Sequence, residues 1–139
     1  MSTRSDCLAR LLTNISAITS IKSVERGNED PGGAGGYTKA ELPLAIIKAE
    51  QETVDYETNR YGYWLVKVSL FLYFLSDEDE TTDRETLVAA IKNKIGEDPT
   101  LNGLCEMCEI TSIVSSGAYP LYKETFALEF KYEQSISVA

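Results

Sequence analysis

The strongest constraint in this sequence is one long apolar run in the middle of the chain. The run, Tyr61–Leu75, is rich in aromatic and β-branched residues, which favours a β-strand. Alternate side chains of a strand point to opposite faces, and in the second half of this run both faces are apolar. One face carries Val66, Val68, Leu70, Leu72 and Phe74, and the other carries Leu65, Phe71, Tyr73 and Leu75. Such a strand belongs in the middle of a sheet, with helices over one face and another layer, for which a partner subunit is a candidate, over the other.

Two segments have the apolar spacing of amphipathic helices. The first lies near the N-terminus, and the second follows residues 77–80, where Thr82 and Glu85 have the spacing of a capping box. Each helix should bury one apolar stripe against the sheet. The stripes are Leu8, Leu11, Leu12, Ile15 and Ile18 in the first helix, and Leu87, Val88, Ile91 and Ile95 in the second.

The remaining periodic segments predict further strands, at residues 20–26, 44–50, 53–57, 106–115 and 121–133. The last of these alternates clearly, with Tyr122, Phe126, Leu128, Phe130 and Tyr132 on one face and Lys123, Thr125, Glu129, Lys131 and Glu133 on the other. The predicted order is α-β-loop-β-β-β-α-β-β. Strands in blocks with two helices indicate an α+β fold, in which a mixed or antiparallel sheet of about five to six strands packs against the helices.

The length of 139 residues predicts a single domain spanning residues 1–139. Within it, residues 27–42 should form a flexible loop, because the PGGAGG stretch at 31–36 loses much entropy on ordering. Residues 134–139 should form a loose C-terminal tail. We expect the loop to become ordered only against a neighbour.

The charge and residue composition exclude several classes of function. Lys and Arg number 13 against 22 Asp and Glu, so the net charge is -9, and such a surface repels nucleic-acid phosphates. The chain has no histidine, which removes Ser-His-Asp and Cys-His nucleophiles and His-ligated zinc. No signal peptide or apolar stretch long enough to span a bilayer is visible. The three cysteines, an odd number, fit a reducing compartment, so we expect a soluble cytosolic domain.

Three motifs suggest chemistry, and each lacks a required part. Cys105 and Cys108 form a CxxC pair, but a zinc site needs four ligands, so two small residues entering a strand are the favoured interpretation. The PGGAGGYTK stretch lacks the Walker spacing of a phosphate-binding loop. The acidic run DEDE at 77–80 lacks the alternation and glycine of a calcium loop, so a solvated connector is favoured. The sequence therefore predicts no catalytic residue, no cofactor and no metal.

Aromatic residues are concentrated in the predicted strands. Most are explained by core packing, but Tyr61, Tyr63 and Trp64 stand together beyond what one small core needs. Clustered aromatic side chains are typical of protein interfaces. We therefore predict that this cluster contributes to an interface.

Four stretches, taken in order, carry a resemblance to a known family. They are the N-terminal helix with ITSIKSVERG at 18–27, LPLAIIKAEQE at 42–52, WLVKVSLFLYFLS at 64–76 with ETLVAAIKNKIGEDPTLNGLCE at 85–106, and ITSIV at 110–114 with FALEFKYE at 126–133. Together they cover nearly the whole chain, and the helix followed by D-P-T-L-N-G-L is the most characteristic piece. In type and order these stretches resemble the tail terminator (tail completion, minor tail) proteins of long-tailed bacteriophages.

The resemblance implies a non-enzymatic structural protein of the virion. Members form a six-fold ring on the head-proximal end of the tail tube, stop its elongation and join it to the head connector. The implied partners are further copies of the chain, the tail tube protein and the head connector or stopper protein, with a sheath protein as a further possibility. DNA would pass through the lumen as unbound cargo, and no membrane is involved. The implied location is the neck region of the virion tail, and the host cytoplasm during assembly.

Within such a ring, three segments are candidates for the interface or the lumen. The acidic segment is the densest negative stretch, and carboxylates would repel passing phosphates. The Gly-rich loop is the segment most able to order against a neighbour. The candidate residues are Gly32, Gly33, Gly35, Gly36 and Tyr37 in the loop, Tyr61, Tyr63 and Trp64 in the aromatic cluster, and Asp77, Glu78, Asp79 and Glu80 in the acidic segment.

Two other classes of function stay open at this point. One is an acidic soluble binding protein, such as an immunity protein or a nucleic-acid mimic, which the net charge of -9 supports about as well. The other is a different component of the head–tail connector. Mass in solution separates a ring from a monomeric binding protein.

Overall fold

The computed structural model describes residues 4–27, 42–56, 61–76, 80–118 and 121–135, with side chains described for all but a few residues at the segment ends. These residues form two helices and five strands. In chain order the elements are α1 (Arg4–Ser16), β1 (Ser23–Arg26), β2 (Leu44–Tyr56), β3 (Tyr61–Leu75), α2 (Glu80–Glu97), β4 (Glu109–Ala118) and β5 (Leu121–Ser135).

The five strands form one mixed sheet in the order β1-β2-β3-β5-β4. The β1–β2 pair is parallel and the other three pairs are antiparallel. The long strand β3 is central and pairs along its whole length with β5, from Tyr61 opposite Ser135 to Leu75 opposite Leu121. The predicted α+β fold and the central position of the doubly apolar strand are therefore confirmed.

The region of residues 44–57 differs in detail from the prediction of two strands. It forms the single strand β2, which runs through to Tyr56 and pairs with β3 on both sides of Glu50. A shift of register between Ala49 and Gln51 marks a β-bulge there. A bulge inserts one extra residue and changes the side-chain alternation without ending the strand, so the change of pattern looked like a break.

Both helices pack on one face of the sheet, which we call the helix face. The apolar stripe of α2 and the apolar side chains of α1 meet the strand residues that alternation had predicted to face them. The core also includes residues of β2 and of the segment after α2. Its central members are Leu8, Leu11 and Ile15 of α1, Leu87, Val88, Ile91 and Ile95 of α2, Val66, Val68, Leu70, Leu72 and Phe74 of β3, and Phe126, Leu128, Phe130 and Tyr132 of β5.

Helix α2 ends one residue later than the glycine at position 96 suggests. Gly96 lies inside the helix, and the chain reverses only after Glu97. The reversal uses three successive left-handed residues, Leu101 (φ 49°), Asn102 (φ 60°) and Gly103 (φ 81°). Oδ1 of Asp98 accepts the backbone N–H of Asn102 at 2.8 Å, which holds this turn closed.

The β4–β5 connection depends on a glycine. Gly117 has φ 94°, in the left-handed region, and a Cβ atom there would lie 2.7 Å from the carbonyl oxygen of Leu121. The predicted turn begins at this residue, while residues 119–120 lie outside the described part of the chain. Strand β5 continues to Ser135, so the first two residues of the predicted loose tail are paired in the sheet.

The buried position of Leu128 gives a direct test of the assignment of faces. Its side chain is 1% exposed in the core between β5 and the helices. We expect Leu128→Ala to lower the free energy of unfolding by about 2–5 kcal/mol, because it leaves a cavity in a close-packed core. Urea unfolding followed by circular dichroism measures this. Val114→Ala, at an exposed position, is the matched control and should change stability by less than about 0.5 kcal/mol. Similar losses for both variants would contradict the assignment.

Candidate functional site

Most of the predicted interface and lumen residues lie outside the part of the chain that the structure describes. Gly32, Gly33, Gly35, Gly36 and Tyr37, and Asp77, Glu78 and Asp79, lie outside the described residues. Glu80 is the first residue of α2 and Tyr61 is the first residue of β3, and neither side chain is described. The roles assigned to these residues stay predictions.

The aromatic neighbours Tyr63 and Trp64 point to opposite faces of the sheet. Trp64 packs partly against the core of the helix face, and its buried Nε1–H has no hydrogen-bond acceptor among the described residues. Tyr63 lies on the other face, where Nζ of Lys131 is 6.0 Å from its ring centroid. Neighbours in a strand alternate, so these two side chains do not form one continuous surface.

The sheet face away from the helices, which we call the open face, has an apolar half and a polar half. The apolar half is a second cluster on β2 and β3. Nζ of Lys123 lies beside this cluster, 4.8 Å from the ring centroid of Phe71 and 5.6 Å from that of Tyr73, as in cation–π contacts. The buried members of the cluster are Leu42, Leu44, Ile46, Phe71 and Tyr73, with Leu75 packed beside them.

The polar half of the open face lies towards β5 and β4. Lys67 and Glu129 are opposite each other in the β3–β5 ladder and form a long ion pair, 4.0 Å between Nζ and Oε1. Leu65, Glu106, Met107, Glu129 and Lys131 line a shallow depression of about 320 Å³ near this pair. Glu109 and Phe130 complete the lining, so its charged side chains are three glutamates and one lysine.

A buried ion pair joins α2 to the β4–β5 hairpin. Nε of Arg84 lies 2.6 Å from Oε1 of Glu124, a carboxylate only 1% exposed on the helix face. The Ser115 hydroxyl donates to the same oxygen at 2.7 Å. The Arg84 guanidinium also lies over the rings of Phe74 and Tyr122, at 5.8 and 5.4 Å from their centroids. Glu124 is not among the residues predicted from the sequence, although strict alternation places it between Tyr122 and Phe126 on the apolar face.

We expect Arg84→Ala to lower the free energy of unfolding by about 3–5 kcal/mol, because it leaves a buried carboxylate without its counter-charge. Replacing both residues with apolar ones, Arg84→Met with Glu124→Leu, should restore most of the loss. The control is Arg10→Ala, which breaks a more exposed pair with Asp98 and should cost less than about 1 kcal/mol. Chemical unfolding at neutral pH measures all three variants. A small loss for Arg84→Ala alone would show that water reaches Glu124.

Asp98 joins the two helices at the end of α2. Its Oδ2 accepts hydrogen bonds from Asn14 Nδ2 at 2.8 Å and from Arg10 Nε at 3.0 Å, both on α1. The Asn14 amide, the Asn102 N–H and the Arg10 guanidinium hold the pKa of Asp98 below its usual value. This residue opens the D-P-T-L-N-G-L stretch, so the piece of sequence most characteristic of the resemblance acts as a structural clamp here.

The start of α1 is joined to strands β2 and β5 through the carboxylate of Glu52. Nη1 of Arg4 lies 3.1 Å from Oε2 of Glu52, and the Tyr132 hydroxyl donates to Oε1 of the same carboxylate. Burial, and then the hydrogen bond to Glu52, raise the pKa of Tyr132. The carboxylate therefore acts as an acceptor within the fold.

The three cysteines lie close together, with Cys7 on α1 and Cys105 and Cys108 in the segment between α2 and β4. Cys7 donates towards the Leu104 carbonyl at 3.7 Å, and Cys105 donates to the Glu106 carbonyl at 3.0 Å. All three thiols are free. A hydrogen bond with Cys7, and then burial, raise the pKa of the Cys105 thiol, and burial raises the pKa of Cys108 to about 12. The hydrogen bond with Cys105 lowers the pKa of Cys7. The thiol of Cys108 is both buried and kept neutral, which makes it a poor metal ligand and a poor nucleophile.

The raised pKa of Cys108 predicts a loss of stability in alkali. Its ordinary value is 9.0, so the unfolded thiol loses its proton above pH 9 while the folded thiol keeps it up to about pH 12. This contribution to stability is complete below pH 9, and it should fall by up to about 1.4 kcal/mol per pH unit between 9 and 12. Urea unfolding of the wild type and of Cys108→Ala at several pH values checks this. The variant should have the shallower slope, and equal slopes would contradict the prediction.

In the parts of the chain that the structure describes, no three acidic or cysteine side chains are arranged to hold a metal ion. Neither of the two described helices is long and apolar enough to cross a membrane. The ion pairs of Arg84 with Glu124, Arg10 with Asp98 and Arg4 with Glu52 connect helices to strands or to each other.

Comparison with known proteins shows a likeness of fold to solved structures. No protein-family model and no curated protein sequence matches this chain. Among solved structures, a chain described as "Virion of native gene transfer agent (GTA) particle" has a similar fold, with a TM-score of 0.57 and 9% sequence identity. The likeness covers 96% of this chain and 96% of that one. At this identity it establishes that the two chains share a fold over nearly their whole length.

Proposed function

We propose that this chain is a structural protein of a phage-like virion, and that it forms a ring, six-fold as in tail terminators, on the head-proximal end of a tail tube. The ring stops elongation of the tube and joins it to the head connector. The observation that carries this proposal is the fold shared, over 96% of both chains, with a chain of a gene transfer agent virion. Fold alone is an analogy, so the other features of the chain have to agree with it.

The order of elements supports the tail terminator assignment. The four stretches that resemble this family correspond in order to α1 with β1, to β2, to β3 with α2, and to β4 with β5. Their pairing gives one sheet with both helices on one face. The likeness in sequence pattern and the likeness in fold therefore concern the same elements, and both lead to virion proteins.

The chemistry of the chain supports a structural role. It has no histidine, and its buried carboxylate Glu124 is engaged by Arg84 and Ser115. Asp98 joins the two helices and Glu52 joins α1 to the sheet. Both carboxylates are likewise held by hydrogen bonds and ion pairs. A general acid or base needs a proton-transfer partner on a substrate, whereas these groups are used within the fold.

The negative charge suits a passage for DNA. A net charge of -9 on each copy makes the inner wall of a ring repel phosphates, so that a genome can slide without sticking. Salt screens such charges beyond about 8–10 Å, so only acids close to the lumen act on the DNA. We propose that Asp77, Glu78, Asp79 and Glu80 lie on the lumen or on a ring face that meets a basic partner. The Gly-rich loop, residues 27–42, and Tyr61 are proposed to contact neighbouring tail components.

The test is assembly of the purified chain with tail tubes. We expect light scattering to report a mass of several copies at high protein concentration, and negative-stain images to show rings that bind one end of isolated tubes. Added during polymerisation of the tube protein, the chain should limit tube length. A matched control is the Leu128→Ala variant, whose damaged core should lower capping activity in proportion to the folded fraction. A chain that stays monomeric and leaves tube length unchanged would contradict the proposal and favour an acidic binding protein.

A further inference from the structure

The two edges of the sheet differ in how they are protected against pairing with another strand. Edge strands expose unpaired backbone groups, and proteins usually protect them by shortness, charge, proline or bulges. The edge strand β1 has only four residues and ends in the exposed charged pair Glu25 and Arg26. Strand β4 is the opposite edge, and within the described residues it pairs only with β5.

Strand β4 has almost none of these protective features. It is ten residues long, with the sequence EITSIVSSGA, and it contains no lysine and no proline. A bulge at Thr111 disturbs one end, but from Ser112 to Ala118 the strand pairs with β5 in continuous register. Its side chains are mostly exposed over this stretch. Arg84 Nη2 donates to the Ser116 carbonyl at 3.5 Å, a long contact at one point of this stretch. The rest of the stretch is a regular edge of the kind that accepts a further strand.

Exposed apolar side chains lie beside the same edge. Among the side chains described, the large hydrophobic ones that are exposed are Met107 (61%), Val114 (58%) and Leu121 (42%). Val114 is in β4, Met107 lies two residues before the start of β4, and Leu121 pairs with the last residue of β4, Ala118. Val114 lies opposite Thr125, which places it on the open face. An unprotected edge and the exposed apolar groups thus coincide in one place, which indicates an interaction surface.

The charge of the edge indicates which partner it receives. One residue in ten of β4 is charged, Glu109, whereas charged residues make up 25% of the whole chain. Two copies of a chain with net charge -9 repel each other except where both surfaces carry few charges. A basic partner would gain more from the acidic surfaces elsewhere on the molecule. The neutral edge is therefore suited to a second copy of this chain.

We propose that β4, with Met107, Val114 and Leu121, is the contact through which one copy of this chain binds an extended segment of the next. Backbone hydrogen bonds along Ser112–Ala118 would provide the pairing, and the exposed apolar side chains would be covered. In a closed ring each copy uses two different surfaces, so β4 meets a surface other than β4 of its neighbour. This inference rests on the self-assembly part of the proposed function and assigns it a surface.

The experiment compares two double variants with the wild-type chain. Ser112→Glu with Val114→Glu places two carboxylates on the open face of the edge, and Ser112→Thr with Val114→Thr keeps the edge neutral and is the control. Both positions are exposed, so near-UV circular dichroism and the thermal midpoint should stay close to wild type. Sedimentation equilibrium should show association weakened at least about tenfold in the Glu variant and nearly unchanged in the Thr variant, because the two new carboxylates would be removed from water at the contact and would face a neighbour of net charge -9.

Hydrogen exchange locates the contact directly. When the wild-type chain associates, those amides of residues 112–118 that do not already bond to β5 should gain protection of at least about tenfold, because they enter hydrogen bonds with the neighbour. Rings that form without this protection, or that persist in the Glu variant, would overturn the assignment of β4 while leaving the proposed function intact. Association through β4 in a chain that does not bind tail tubes would support this inference and contradict the proposed function. A monomer at every concentration would overturn both.

Discussion

The structure depends on burying both faces of one strand. β3 has apolar side chains on either side, so it is stable only with paired strands at both edges and a layer on each face. β2 and β5 provide the pairing, α1 and α2 cover one face, and on the other face apolar side chains of β3 pack with those of β2 in the second cluster. This requirement accounts for the central position of β3 in the sheet and for the helices packed on it.

Polar groups then fix how the helices sit on the sheet. Apolar packing is not directional, so it tolerates small shifts of a helix, whereas ion pairs and hydrogen bonds require particular positions. Arg84 with Glu124 sets the start of α2 against the last hairpin. Asp98 joins the end of α2 to Arg10 and Asn14 of α1, and Glu52 joins the start of α1 to β2 and β5 through Arg4 and Tyr132. Each carboxylate is bound by at least two groups, which offsets part of the cost of removing it from water. In Glu124 both groups contact Oε1, and the buried Oε2 has no hydrogen-bond partner among the described residues.

Charge and shape lead to the same view of function. An acidic surface repels nucleic acid, and the edge strand β4 carries few charges. These are the two properties that the proposed ring around DNA requires. The likeness to a chain of a gene transfer agent virion concerns the fold alone. The proposed roles of the edge and of the acidic segment differ accordingly, one in contact between copies and the other in repulsion of the cargo.

The sequence alone predicted the α+β fold, the central strand, the apolar faces of both helices and the helix-facing side of β5. These follow from periodicity, a local property that neighbouring residues display directly. The tertiary structure decided the features that join distant residues. It made one bulged strand of residues 44–56, placed Arg84 against Glu124, gathered Cys7 with Cys105 and separated Tyr63 from Trp64. It also set the strand order that leaves β4 at the edge, because no local pattern states which strands will be neighbours. Side-chain alternation can be read directly from the sequence. Contacts between residues far apart in the sequence depend on how the whole sheet pairs and on which groups are buried together.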